Sequence, residues 1–385
     1  MTQSPYSILI LIPQLWPNAY AWYGVSLARA LLDRGHSCRV VASAGSANLV
    51  AAREQNIPTN ASLPLHRAND IGFMHCTAGL ARLADLDRAT HIVTTHAIGG
   101  LMGAVAMRLF GLRCILIRFR GDPKPPRSTW LNRWVYQQAK KHVLPAECLR
   151  SALIQLSIPG DQISTIPPAV KPQPPAAAPT ITAFRRALGL AADQTLLSVV
   201  ARLDPVKGHQ SLFLAIRSLI DRGRGLHLLV VGPDARLERQ AMIRLAKSIG
   251  IEKSITVIGF HPDLSLVMGA SDIGVIASIG SETISRVLLN WMALGKPVVG
   301  TRVGAIPEII RHDQNGLLAE PNHPASLAQQ LDRLLTDTTL RTRLSQAALQ
   351  DIPQRFSLDR FTDAWEELLS NTTEASRGHG TPPIS

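Results

Sequence analysis

Cysteine is scarce in this chain of 385 residues: Cys38, Cys76, Cys114 and Cys148 stand far apart, and no C-x-x-C pair occurs. That spacing excludes a disulfide framework and points to reduced thiols in a cytosolic protein. Long apolar runs are missing too. Stretches such as Ile8–Ile12 and Leu226–Val231 are far too short to span a bilayer. The opening MTQSPYS lacks the basic segment of a signal peptide, so the expected location is the cytoplasm. No G-x-G-x-x-G follows the first apolar run, and no G-x-S-x-G, P-loop or zinc pattern appears. His66 and His75 lack metal-ligand spacing. Asp85-Leu86-Asp87 has the D-x-D spacing of a metal site, but beside Arg82 and Arg88 it reads as a solvated surface. No metal is expected.

Acidic residues are short in the first half. Residues 1–175 carry 18 Lys+Arg against 8 Asp+Glu, whereas residues 176–385 carry 22 against 20. The excess gathers between Arg108 and Arg150, with Arg113, Arg118, Arg120, Lys124, Arg127, Arg133, Lys140 and Lys141 against Asp122 and Glu147. A partner of that half is expected to be anionic: a membrane surface, a phosphorylated lipid or glycan, or nucleic acid.

What the chain does have is alternation. Ile8–Ile12 reads as a buried parallel strand, Ala21–Arg34 as a helix stopped by Gly35, and Arg39–Ala42 as the next strand. His91–Thr95 is a strand running into His96, Ile98–Phe110 its helix, Cys114–Arg118 a strand and Asn132–Lys141 a helix. Six of the thirteen residues from Pro167 to Pro179 are proline, which marks a stiff connector and a domain boundary. The alternation then resumes: strands at Leu196–Val200, Leu226–Val231, Ile255–Ile258 and Ile273–Ala277, and helices at Gly208–Arg222, Leu237–Ile249 and Leu264–Ser271. Helices follow near Ala325–Leu335 and Leu358–Leu369. The fold class is therefore α/β, two doubly wound Rossmann-like domains facing across a cleft. The expected divisions are a first domain over 1–166, a linker over 167–179 and a second domain over 180–352. A helix over 353–370 would pack back on the first domain, and the polar tail 371–385 is expected to be disordered.

Ser278–Val303 is the stretch that organises the second half. A small-residue loop, Ser278–Ser281, leads into apolar positions Ile284, Val287, Leu288, Trp291 and Met292 at helical spacing. Gly295 stops the helix, Lys296 sits on its negative end, and Pro297 forbids continuation. A helix that starts just beyond a strand aims its free N–H groups at whatever lies there, a preformed anion site. Arg202 and Lys207 stand at another strand-to-helix handover, where two cations suit a diphosphate. Trp16, Tyr20, Trp22 and Tyr23 crowd the first loop, either to stack on a sugar or lipid or to pack the loop itself.

In these segments the chain resembles the retaining nucleotide-sugar glycosyltransferases of the GT-B fold, glycosyltransferase family 4. Arg202-Leu203…Lys207-Gly208 looks like that family's G-R-L…K-G, with Ala201 in place of its glycine. Val231-Gly232 and Val257-Ile258-Gly259-Phe260 look like its strand end and base pocket. Glu282 to Asn290 lies over its pair of glutamates with seven residues between them, and Met292–Val299, Val303–Ile310 and Asn315–Leu318 match the elements that follow. In the first half the likeness rests on Leu27–His36 and on His96.

The resemblance implies a retaining, metal-independent transfer of a sugar from a nucleotide diphosphate donor, with UDP ahead of GDP and no cofactor. The acceptor would be lipid-linked or of lipopolysaccharide or polysaccharide type, and nucleic acid drops out as a partner. His96, Glu282, Arg202 and Lys207 would carry the chemistry. Gly259, Phe260, Thr283, Ile284, Ser285, Arg286 and Asn290 would complete the donor site. Arg118, Arg120, Tyr20 and Trp22 would line the acceptor side, with the protein peripheral at the inner face of the plasma membrane. Two departures stand out. Asn290 replaces the second glutamate, and Thr283, Ser285 and Arg286 replace a glycine-rich loop. A non-catalytic nucleotide-sugar binding relative is therefore the alternative.

Overall fold

The computed structural model describes residues 6–16, 18–65, 70–170, 174, 176–191 and 194–377. The chain divides into two compact units: Met1–Ala169 with Leu358–Ser385, and Val170–Ser357. His66 and the tail beyond residue 377 lie outside the described residues. Among those that are described, no helix is long and apolar enough to cross a membrane.

In the first unit the order is β1 (Ser7–Ile12), α1 (Ala19–Asp33), β2 (Ser37–Ala42), α2 (Ala47–Glu54), β3 (Thr59–Asn60), α3 (Asp70–Leu86), β4 (His91–Thr94), α4 (Ala97–Leu109), β5 (Ile115–Phe119), α5 (Trp130–Gln137), β6 (Lys141–Leu144), α6 (Arg150–Ile154) and β7 (Ile163–Thr165). The strands form one sheet in the order β3-β2-β1-β4-β5-β6-β7, with every paired register parallel. The near-continuous Ile/Leu run of β1 is what a strand covered on both faces requires. In such a sheet ligands gather beyond the carboxyl ends of the strands where the order reverses, here between β1 and β4.

The second unit runs α7 (Ala178–Ala187), β8 (Thr195–Val200), α8 (His209–Asp221), β9 (Leu226–Val231), α9 (Arg239–Ile249), β10 (Ile255–Ile258), α10 (Leu264–Ala270), β11 (Ile273–Ile276), α11 (Arg286–Ala293), β12 (Val298–Thr301), α12 (Ile306–Ile309), β13 (Leu317–Ala319), α13 (Pro324–Thr336) and α14 (Thr338–Phe356). Its parallel sheet has the order β10-β9-β8-β11-β12-β13, which places the reversal between β8 and β11. The period of two along β8 divides the core. Leu197 and Val199 join Leu212, Phe213 and Leu331 in one cluster, while Leu196 and Val200 join Leu288, Trp291 and Ile352 in another.

The last helix, α15 (Leu358–Arg377), belongs to the first unit. Trp365 is fully buried and donates its Nε1–H to the Tyr23 hydroxyl at 3.1 Å. Tyr23 in turn donates to the Ile166 carbonyl at 2.9 Å and stacks on Phe119 at 4.0 Å. Of the two roles open to the first-loop aromatics, Tyr23 takes packing. Arg34 reaches Asp359, Asp363 and Glu366 along the solvent side of the same helix.

Several local readings change. The helix expected over Asn132–Lys141 stops at Gln137, and Lys141 opens β6. His142 is fully buried there against Tyr136, and β6 completes the backbone pairing of β5, so a short strand displaces the last helical turn. The expected disorder from residue 371 also yields: α15 continues to Arg377, because Thr372 is buried and its hydroxyl bonds both the Leu368 carbonyl and the His91 ring. Lys296 sits at the end of α11, its N–H donating to the Trp291 carbonyl at 3.0 Å, while its Nζ reaches on to the Gly269 carbonyl at 2.8 Å. Helix α7 starts inside the proline-rich connector, with Pro179 in its first turn where no N–H is needed.

His91 gives a pH test. Burial pushes its pKa from about 6.5 down to about 4. The unfolded chain then binds a proton that the folded chain refuses, so stability is full above about pH 6.5 and falls as pH drops toward about 4. Urea midpoints between pH 7 and pH 4.5 are expected to fall less steeply for His91→Gln than for wild type; equal slopes contradict this.

Candidate active site

In the second unit the loops that leave β8 and β11, the two strands flanking the reversal, carry the polar residues. Beyond β8, Asp204 is buried and accepts from the Val206 N–H at 3.1 Å, turning the chain so that Lys207 points back over the sheet end. Beyond β11, the segment Ser278–Ser285 folds over the same end, and the Ile279 N–H donates to the Val206 carbonyl at 2.8 Å, tying one loop to the other. Within this frame Lys207 forms an ion pair with Glu282. Glu282 is only 7% exposed, and its Oε1 also accepts from the Ser278 hydroxyl at 2.6 Å. Among the described residues no donor reaches Oε2, which leaves one carboxylate oxygen for a further hydroxyl.

The backbone around Glu282 is held as tightly. Its carbonyl accepts from the Ala305 N–H at 2.6 Å. Gly304 sits at φ +54, where an added Cβ would lie 2.2 Å from that carbonyl oxygen. Ser281 itself has φ 60, an uncommon conformation for a side-chain-bearing residue, at a cost of about 1–3 kcal/mol.

The sequence-derived residues fall into groups. Glu282, Thr283, Ile284 and Ser285 are buried in the loop that leads into α11, and Arg286 is the exposed first residue of that helix. Asn290 is half-buried one turn further on. Arg202 is exposed and makes no ion pair among the described residues, although its carbonyl accepts from His209 at 3.4 Å. Gly259 ends β10 in open space, and Phe260 beside it is 73% exposed. The structure thus joins Lys207 to Glu282 directly and leaves the Arg202 and Phe260 side chains exposed. Sequence reasoning passed over Ser278 as a generic small residue; its position four residues before Glu282 at a strand end was the available signal.

In the first unit His96 follows β4 and caps α4, its Nδ1 accepting from the Ile98 N–H at 3.4 Å. Partial desolvation lowers its pKa; Asp122 opposes this and Arg118 adds to it. Arg118 is 5% exposed with its guanidinium 3.9 Å from the centre of the Tyr136 ring. Arg120 donates to the Tyr136 hydroxyl at 3.0 Å and to the Lys124 carbonyl. Tyr20 and Trp22 are half-buried, and Tyr20 lies against Gly121. Tyr136 and His142 were missed because no local pattern shows that α5 and β6 fold onto Arg118.

Comparison with known proteins follows the same division. The family "Glycosyl transferases group 1" matches residues 180–351, and "Glycosyl transferase 4-like domain" matches residues 18–169. Each of its two domains is thus similar to a glycosyltransferase family, and the fold of the chain is GT-B. The D-inositol 3-phosphate glycosyltransferase of Saccharomonospora viridis is 30% identical over 277 residues, 67% of this chain and 62% of that protein. The lipopolysaccharide core biosynthesis glycosyltransferase LpsE of Rhizobium meliloti is 28% identical over 187 residues, covering 49% and 53%. The chain spans about half the length of the curated relatives it matches. Among solved structures, Anabaena HepE in complex with UDP and glucose superposes with TM-score 0.82 at 22% identity, covering 95% of this GT-B chain and all of that one. Both Rossmann-like sheets are thus those of the GT-B fold.

Proposed function

We propose that this chain is a retaining, metal-independent glycosyltransferase that moves a sugar from a UDP-sugar to a glycan or lipid-linked acceptor. The observation that carries the reading is the Lys207–Glu282–Ser278 cluster at the reversal of the second sheet. In this reading Lys207 and Arg202 hold the diphosphate and stabilise the charge that builds on the departing nucleotide. The N–H groups at the start of α11 add to that field. Glu282, paired with Lys207, accepts from hydroxyls of the donor sugar, and Asn290 holds the ribose more weakly than a carboxylate would. His96 serves the reacting sugar or the acceptor.

UDP is favoured as donor because a neighbouring fold was solved with UDP and glucose. The acceptor class draws on the names of two relatives, which act on an inositol phosphate and on lipopolysaccharide core. Exposed Trp130 and Leu131, set among Lys124, Arg127 and Arg133, fit attachment to an anionic membrane face.

The test is a thermal-shift panel of UDP, GDP and ADP, followed by assays for free nucleoside diphosphate with each matching sugar donor. UDP is expected to raise the melting temperature most, and UDP release from a UDP-sugar is expected at a measurable rate. Binding without release by any donor favours the non-catalytic alternative, and absence of binding by all three removes the reading.

A further inference from the structure

The first unit holds a buried cation, Arg118, that forms no ion pair among the described residues. Arg118 is 5% exposed, and its Nη1 has no hydrogen-bond partner. Burial lowers its pKa; Tyr136 opposes this and a second cation, Arg120, adds to it, and the buried Arg120 Nε has no hydrogen-bond partner among the described residues. The nearest carboxylate in sequence, Asp122, is exposed and accepts from the Lys124 N–H at 3.0 Å. Nor does His142 supply charge. Its Nε2 bonds the Tyr136 carbonyl at 3.1 Å, and burial, then Arg118, push its pKa down to about 3. The face of the Tyr136 ring offsets part of the desolvation penalty of this guanidinium, but the buried Nη1 donor is left unmet.

The place it occupies is specific. An added Cβ at Gly100 would lie 2.8 Å from the Arg118 Cζ and 2.9 Å from its Nη1. The guanidinium therefore rests on the first turn of α4, a helix of 13 residues whose opening N–H groups face the same region as His96. Two arginines and a helix start, with the nearby Asp122 carboxylate exposed and bonded to the Lys124 N–H, describe a receptor for an oxyanion.

We infer that Arg118, Arg120 and the first turn of α4 bind an oxyanion, phosphate or carboxylate, carried by the acceptor substrate. This rests on the glycosyltransferase reading for the word acceptor, and on the first unit alone for the anion. Arg118 acts by seating the acceptor beside His96, so its loss raises KM for the acceptor more than it lowers kcat.

The experiment uses the full chain with UDP at saturation, so that the second unit's diphosphate site is filled. Inorganic phosphate and succinate are titrated separately against sodium chloride at matched ionic strength, by calorimetry and thermal shift. Saturable binding by at least one of the two is expected, and the stronger one names the anion. Arg118→Met should weaken that binding at least tenfold, leave UDP affinity unchanged, and melt no lower than wild type. Gly100→Ala suits the helix and crowds only the guanidinium, so it should show the same selective loss and decides the matter if Arg118→Met fails to fold. The inference is overturned if neither anion binds beyond chloride, or if both variants keep wild-type anion affinity. It is also overturned if Arg118→Met melts well below wild type while Gly100→Ala binds normally, since Arg118 is then a structural residue. Failure of the glycosyltransferase reading looks different: UDP does not bind, while anion binding that depends on Arg118 persists.

Discussion

Lys207→Met is expected to lower sugar transfer by about 10²–10³-fold, the loss found when one preorganised donor to a developing negative charge is removed. The effect has two sources in this fold. The diphosphate loses a point charge, and Glu282, only 7% exposed, loses its ion-pair partner and keeps the Ser278 hydroxyl as its remaining donor. A buried carboxylate in that state gains from being protonated. Lys207→Met should therefore also be less stable than wild type. Adding Glu282→Gln should recover part of the lost stability, because no charge is then stranded, without recovering transfer. Turnover assays and urea unfolding on the two single variants and the double variant separate the terms. Near-normal turnover in Lys207→Met removes the proposed mechanism, and additive stability losses remove the coupling between the two residues.

Gly304→Ala is expected to destabilise the fold strongly. At φ +54 a side chain is strained by about 1–3 kcal/mol. The new Cβ would also sit 2.2 Å from the Glu282 carbonyl oxygen and 2.8 Å from its carbon, both backbone atoms that cannot swing aside. Overpacking of that kind adds about 1–3 kcal/mol, so a total near 3 kcal/mol or more is expected, with loss of UDP binding because the Glu282 loop must move. Gly111→Ala is the control. Its φ is +63, but nothing lies within 4 Å of the added atom, so only the strain applies. Equal urea midpoints for the two variants would show that the approach of Gly304 to Glu282 costs nothing.

Much of this architecture could be read in advance because parallel strands covered on both faces advertise themselves. Ile8–Ile12 and Leu226–Val231 were readable as strands for that reason. Lys207 and Glu282 were readable because each sits just past such a strand, which is a local fact. The ion pair between them is not local: 75 residues separate the two, and only the pairing of β8 with β11 brings their loops together. Arg118 shows the limit most clearly. Composition marks it as one of many cations in a basic stretch, whereas its burial depends on Tyr136 and His142, from a helix and a strand whose boundary was misplaced by several residues. Lys296 stands at the end of α11 as its local sequence indicates, but the partner of its Nζ, Gly269, belongs to another element.

The placement of Trp365 beneath Tyr23 has a consequence for biosynthesis. The first unit needs a helix that the ribosome delivers only after the whole of Val170–Ser357 has been made. At about 5–20 residues per second that interval lasts on the order of 10–40 s. During it the nascent amino-terminal sheet exposes the apolar seat of α15, while the inserted unit can already close on itself. The order of synthesis is thus the reverse of the order of completion, and a segment translated after the inserted unit serves as the clasp for the first.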